Sequence, residues 1–185
     1  GCTSHAGTTR TAEVDMKFKI LLLLLFIFLQ AEEMKLANFS LKDLNKKKVN
    51  IQDYYKNGPI LVNFWNLACE PCKKEMKFLN RFDEKFEEYG FNVISVNMDT
   101  PRSLSKVKSY IKSKKYTFTV LSDPRSQLFR KSGGTIMPYT LLVDSSGTII
   151  NKHTGYNLGD EVNLEKEIVH ILGIDSLKTP EVQKQ

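Results

Sequence analysis

Cys69 and Cys72 stand three residues apart in Trp65-Asn66-Leu67-Ala68-Cys69-Glu70-Pro71-Cys72, directly after the apolar run Ile60-Leu61-Val62-Asn63-Phe64. The run reads as a buried strand, and the cysteines as the first turn of the helix that follows. Two thiols at this spacing can close a small disulfide loop and reopen it. The partial positive charge of a helix N-terminus favours a thiolate there. The pair is suited to exchanging disulfides with another molecule. Cys69 is the more accessible sulfur and the attacking nucleophile. Cys72, one turn further in, is the resolving thiol.

The neighbours tune this pair. Pro71 falls in the first helical turn, where no backbone bond is lost, and stiffens the loop. Glu70 raises the thiol pKa by charge repulsion, unless Lys73 and Lys74 reach back to offset it. An acid between the cysteines argues against a strong oxidant, which needs a very stable thiolate. Glu75 lies three residues after Cys72 on one helical face and could exchange protons with the inner thiol. An ordinary surface glutamate is the other reading of that spacing. Met137-Pro138, before the apolar Tyr139 to Val143, is a candidate cis bond. A cis turn there would expose the Met137 backbone to an extended substrate; a trans proline opening an edge strand is the alternative. Metal binding is not expected, because a structural zinc site wants four ligands and only His5, His153 and His170 accompany the pair.

These residues need a scaffold, and the chain supplies one. Phe39 to Leu44 and Val49 to Ile51 read as a small hairpin. Ile60 to Trp65 is a covered central strand, and a helix runs from Pro71 to Tyr89, stopped by Gly90. Phe91 to Met98 is the next strand, followed by a helix from Pro101 to Lys115. Phe118 to Leu121 is a short strand, and Asp123-Pro124 starts a helix ending near Ser132-Gly133-Gly134. Tyr139 to Val143 and Thr148 to Lys152 form a closing hairpin around Asp144-Ser145-Ser146-Gly147. A last amphipathic helix spans Asp160 to Leu172. Alternation in the middle demands parallel strands with helices on both faces, and the closing hairpin makes the sheet mixed.

With 185 residues, the chain is sized for one ordinary domain. A net charge of +6 is a modest basic excess. The lysine clusters at 46–48 and 112–115 read as solvated faces, and no nucleic-acid signature accompanies them. Met16-Lys17-Phe18-Lys19 and the unbroken apolar Ile20 to Leu29 form a leader, residues 16–31, with Ala31 at a plausible cleavage position. Leu29 at −3 is not small, so an uncleaved anchor is the alternative. Residues 1–15 read as an upstream or non-native stretch, 36–173 as the folded domain and 174–185 as a flexible tail. Past Ala31 only Cys69 and Cys72 remain, too few for a disulfide-stapled scaffold.

Together, Asn63-Phe64-Trp65, Cys69-Glu70-Pro71-Cys72-Lys73-Lys74-Glu75 and Met137-Pro138 before a strand resemble the thioredoxin superfamily. Within it, the chain is similar to extracytoplasmic thiol–disulfide oxidoreductases of the TlpA/ResA type, over about Leu36 to Gly173. The resemblance implies an α/β, thioredoxin-like fold. A mixed central sheet flanked by helices carries an N-terminal β-hairpin and a central strand–helix insertion between Met98 and Met137. It implies Cys69 as nucleophile, Cys72 as resolving thiol, Glu75 as acid–base group and Pro138 as a cis-proline, with Met137 and Trp65 beside it toward the client. It implies no cofactor beyond the redox-active Cys69–Cys72 disulfide. The implied partners are disulfide-containing exported proteins, for example apocytochrome c, and a membrane thiol electron donor. Nucleic acid is not among them, a membrane tether depends on the leader, and the chain is expected to be a monomer outside the cytoplasm.

Two positions depart from the family pattern, and a third differs from the cytosolic thioredoxins. Ala68 replaces the usual Trp before the first Cys. Lys77 replaces a helix-kinking Pro found in many members. Asn63 stands where cytosolic thioredoxins bury an Asp, which leaves Glu75 as proton partner. Two other functions compete: a redox-inactive client-binding module, and a thiol peroxidase. The peroxidase needs a Thr-x-x-Cys loop that the sequence lacks.

Overall fold

Six consecutive residues, Ile60–Trp65, are all buried, and they form the strand β3 around which the rest assembles. The computed structural model describes residues 33–174 together with Lys19. The upstream stretch, the leader apart from Lys19 and the tail beyond Ile174 lie outside the described residues. All elements below belong to one compact unit that begins at Met34.

Strand β1 (Ser40–Asp43) and β2 (Lys48–Asn50) form the expected hairpin. A short helix α1 (Gln52–Tyr55) follows, which the sequence pattern did not signal. The second hairpin strand stops at Asn50 because its side chain accepts from the Gln52 amide at 2.9 Å and turns the chain. Helix α2 (Glu70–Phe86) follows β3. Its last expected turn, Glu87–Tyr89, tightens to a 3-10 turn ending at Gly90, whose φ of 77° suits a residue without a side chain. Then come β4 (Asn92–Asn97), α3 (Leu104–Lys114), β5 (Thr119–Ser122), α4 (Gln127–Lys131), β6 (Tyr139–Val143), β7 (Ile149–Thr154) and α5 (Asp160–Ile171).

The seven strands form one sheet in the order β2-β1-β5-β4-β3-β6-β7. Strands β3, β4 and β5 run parallel, while β6 runs antiparallel to β3 and β1 antiparallel to β5. The sheet is therefore mixed, with both faces covered. Alternation along β3 divides the core. Ile60, Val62 and Phe64 join a cluster with Tyr55, Leu128 and Phe129 on one face. Leu61 and Trp65 join Met76, Leu79, Val107 and Ile168 on the other. Helices α2, α3 and α5 thus cover one face, and α1 and α4 the other.

Helix α4 starts later than Asp123-Pro124 suggested. The buried Asp123 carboxylate accepts from the amides of Gln127, Leu128 and Phe129 at 2.8, 2.9 and 3.2 Å, so the segment before Gln127 is a turn built around that side chain. We predict that Asp123→Ala destabilises the domain by about 2 kcal/mol, because it strands buried amides. Asp123→Asn retains an acceptor and costs less. Urea unfolding of the two variants checks the order.

Candidate active site

The chain leaves β3 at Trp65 and reaches Cys69 in four residues. That loop is held tightly. The Asp99 carboxylate accepts from the Leu67 amide at 2.8 Å and from Asn97 Nδ2 at 2.8 Å. Asn66 Oδ1 accepts from the Ala68 amide at 3.0 Å. Cys69 is the N-cap of α2, in extended conformation, and its sulfur accepts from the Cys72 amide at 3.3 Å. The two cysteines are joined as a disulfide with their Cα atoms 5.3 Å apart. Cys69 is half-buried and Cys72 fully buried, the asymmetry expected of an outer and an inner sulfur.

Pro71 sits in the first turn of α2 and is exposed. Glu70 is exposed as well, and its carboxylate takes Lys73 Nζ at 2.7 Å. That hydrogen bond and the lysine charge hold the Glu70 carboxyl below its usual range. Lys73 is thereby turned toward Glu70. Ala68 is exposed beside Cys69, and Lys77 lies on the outer face of an unbroken helix.

Glu75 is the unusual group. It is on the inner face of α2 and only 3% exposed. Its two oxygens are held from the sheet below: Thr140 Oγ1 donates to one at 3.0 Å, and Asn63 Nδ2 donates to the other at 2.9 Å. Asn63 Nδ2 also donates to Thr140 Oγ1 at 3.0 Å. Among the described residues no cationic side chain hydrogen-bonds within this cluster. Burial pushes the Glu75 carboxyl up to about 7, the two hydrogen bonds pull against it, and Asp160 adds a further upward push. A cavity of about 280 Å³ between α2, β7 and the start of α5 reaches Glu75 and is also lined by Asp160 and Tyr156. Neither cysteine lines that cavity. No hydrogen bond joins Glu75 to either sulfur in the disulfide form.

Thr140 was not singled out in the sequence, yet a signal existed. Asn63 and Thr140 are each the lone polar residue in a fully buried strand, and the β3–β6 register places them directly opposite each other. Both point to the face that α2 covers, where Glu75 meets them.

The Met137–Pro138 bond is cis. Met137 is half-buried and packs against both apolar clusters, including the one that holds the cysteines. Among the described residues no hydrogen bond reaches its backbone N–H or C=O. Pro138 is buried, and its carbonyl accepts from the Gly155 amide at 2.8 Å. Trp65 must be corrected: it is wholly buried, with its ring 5.7 Å from that of Tyr110, and cannot face a client. Its position in β3 turns it into the core under α2 and α3. Among the described residues no group of three or more His, Cys, Asp or Glu is arranged to hold a metal ion. His153 is paired with Glu167 at 2.7 Å.

Burial of Glu75 has a measurable cost. Its ordinary value is 4.5 and its folded value about 7, so between these pH values the folded chain holds a proton that the unfolded chain has lost. The associated stability is fully present below the lower value and is lost as pH rises through the upper one, a drop of about 3 kcal/mol. Glu75→Gln removes that drop. Urea unfolding of wild type and variant at pH 4, 6 and 8 should show the variant gaining relative stability as pH rises; parallel curves would contradict the assignment.

Comparison with known proteins agrees with this geometry. The model of the AhpC/TSA family matches residues 33–152. A thiol-disulfide oxidoreductase ResA from Bacillus thuringiensis is 30% identical over 132 residues, covering 69% of this chain and 75% of that protein. ResA from Bacillus subtilis is 30% identical over 118 residues, covering 64% of each chain. A crystal structure from Chlorobium tepidum, assigned as a thiol:disulfide interchange protein DsbE, superposes with a TM-score of 0.70 at 27% identity, covering 77% of this chain and 99% of its own. The thioredoxin domain of a Bacteroides vulgatus thiol-disulfide oxidoreductase, at 24% identity and a TM-score of 0.64 over 75% of this chain and 98% of its own, shares the fold. The chain belongs to the AhpC/TSA family of thioredoxin-like proteins and is a thiol–disulfide oxidoreductase related to ResA.

Proposed function

We propose that this chain reduces disulfides of exported client proteins outside the cytoplasm, with Cys69 and Cys72 as its working dithiol and no dissociable cofactor. The observation that carries the proposal is the placement of Cys69 as N-cap of α2, its sulfur held by the Cys72 amide. An amide and a helix terminus aimed at that sulfur stabilise the thiolate that attacks.

The reaction starts from the reduced pair. The Cys69 thiolate attacks one client sulfur; a Cys69–client disulfide forms and the other client thiolate leaves and takes a proton. Cys72 then loses its proton and attacks the Cys69 sulfur. The Cys69–Cys72 disulfide forms, the mixed disulfide breaks, and the second client thiolate leaves. Two electrons have passed to the client. Glu75, buried beneath the inner thiol with a pKa near 7, is the group suited to take the Cys72 proton and return it through the cavity to water. The open backbone of Met137 pairs with the client as an added strand, positioned by Pro138.

The charges beside the pair support a reducing direction. Lys73 is drawn to Glu70 at 2.7 Å, so neither residue supplies net positive charge to the thiolate. That arrangement suits a reductant, recharged by a membrane dithiol donor. The basic Met16 to Lys19 opening and the apolar Ile20 to Leu29 support export, and apocytochrome c, with its reducible cysteine pair, is the client class we favour. The protein acts as a monomer.

Cys69→Ser should abolish reduction of a disulfide client, while Cys72→Ser should trap a covalent adduct that dithiothreitol releases. Reduction that survives Cys69→Ser would sink the proposal and favour a client-binding module. The potential of the pair, equilibrated in dithiothreitol buffers, should lie near about −270 mV; a value near about −120 mV would make the protein an oxidant. Glu75→Gln should slow the resolving step and remove the dependence of that step on pH around 7. An unchanged single-turnover pH profile would remove Glu75 from the mechanism.

A further inference from the structure

Beside the thiol end of the molecule, a groove of about 630 Å³ runs between the N-terminal hairpin and the segments that follow β4 and β5. Lys42, Lys46, Lys48 and Arg125 line it, and all four are exposed. Among the described residues none of the four has an ion-pair partner. Two carboxylates also line the groove, but both are occupied within the fold. Asp43 accepts from the amides of Asn45 and Lys47 in the hairpin turn, at 2.8 Å each. Asp123 holds the start of α4. The lining sets four cations against these two carboxylates, an excess of positive charge over walls made apolar by Phe39, Leu41 and Leu104.

Its position matters as much as its charge. Lys42 pairs with Ser122, Ser122 with Asn97, and Asn97 with Trp65, the residue from which the chain turns toward Cys69. The groove therefore opens at the same end of the sheet as the thiols. Its Pro101 follows two residues after Asp99, whose carboxylate pins the loop leading to Cys69.

We propose that this groove seats an acidic stretch of the client polypeptide whose disulfide reacts at Cys69. The proposal rests on the oxidoreductase reading above. Charge complementarity selects an anionic occupant, and a concave shape with apolar walls selects a polypeptide, whose side chains can fill it, over a flat lipid surface.

The test uses two synthetic peptides with the same intramolecular disulfide, one carrying a nearby run of Asp and Glu, the other a run of Ser and Asn. Single-turnover reduction by the dithiothreitol-reduced protein should favour the acidic peptide by about tenfold at low salt, and the advantage should fall as salt rises. The combined variant Lys42→Glu, Lys48→Glu, Arg125→Glu should reverse the preference and leave the neutral peptide's rate unchanged. The corresponding Gln variant should erase the preference without reversing it. Equal rates for the two peptides in wild type, a preference that survives in the Glu variant, or an equal loss on both peptides would overturn the groove. Equal peptide rates together with binding to phosphatidylglycerol vesicles that the Glu variant loses would assign the groove to a membrane surface instead. Failure to reduce either peptide would overturn the oxidoreductase reading itself, a distinct result.

Discussion

Everything in this protein hangs on β3 being buried on both faces and at both edges. Strand β4 pairs with it on one side and β6 on the other, so each of its six residues is committed to the interior. A strand so constrained delivers its C-terminal end to one place. The loop from Trp65 to Cys69 is then short enough that Asp99 and Asn66 settle its path with side-chain hydrogen bonds. Cys69 inherits its position from a wholly buried strand, through a connection pinned by side-chain hydrogen bonds.

The same strand sets the chemistry beneath the thiols. Its single polar residue, Asn63, faces the helix that carries them, opposite Thr140 of β6. These two donors make a place for a carboxyl under α2 and supply no charge to neutralise it. Burial then raises the Glu75 carboxyl to about 7, which brings both of its protonation states within reach near neutral pH. A salt-bridged acid in this position would remain charged and exchange no proton near pH 7. A carboxyl held only by neutral donors is one that can switch.

Charge outside the core is arranged differently. Glu70 and Lys73 neutralise each other at the surface beside Cys69, which leaves the helix terminus and the Cys72 amide as the polar groups turned to its sulfur. The surplus of positive charge is displaced to the flank, on the hairpin and the turn before α4. Reactivity and surface charge are thereby separated in space, although both open at the same end of the sheet.

Much of this was legible in the residues alone. The Cys-x-x-Cys pair, the strand before it, the helix after it and the alternation of the central elements follow from local patterning, since hydrophobic period and turn chemistry act over neighbours in sequence. The short helix α1 and the late start of α4 were not legible, because single side chains, Asn50 and Asp123, redirect the backbone there. Trp65 looked like a surface residue near the thiols until the phase of β3 turned it inward. The proton site was half visible: Glu75 stood out by its spacing from Cys72, but its partners lie 12 and 65 residues away along the chain. The residues by themselves determined which groups can react. Only the tertiary structure decided which carboxyl is stripped of water and which aromatic is turned away from the thiols, because solvation depends on what the packed chain places around each group.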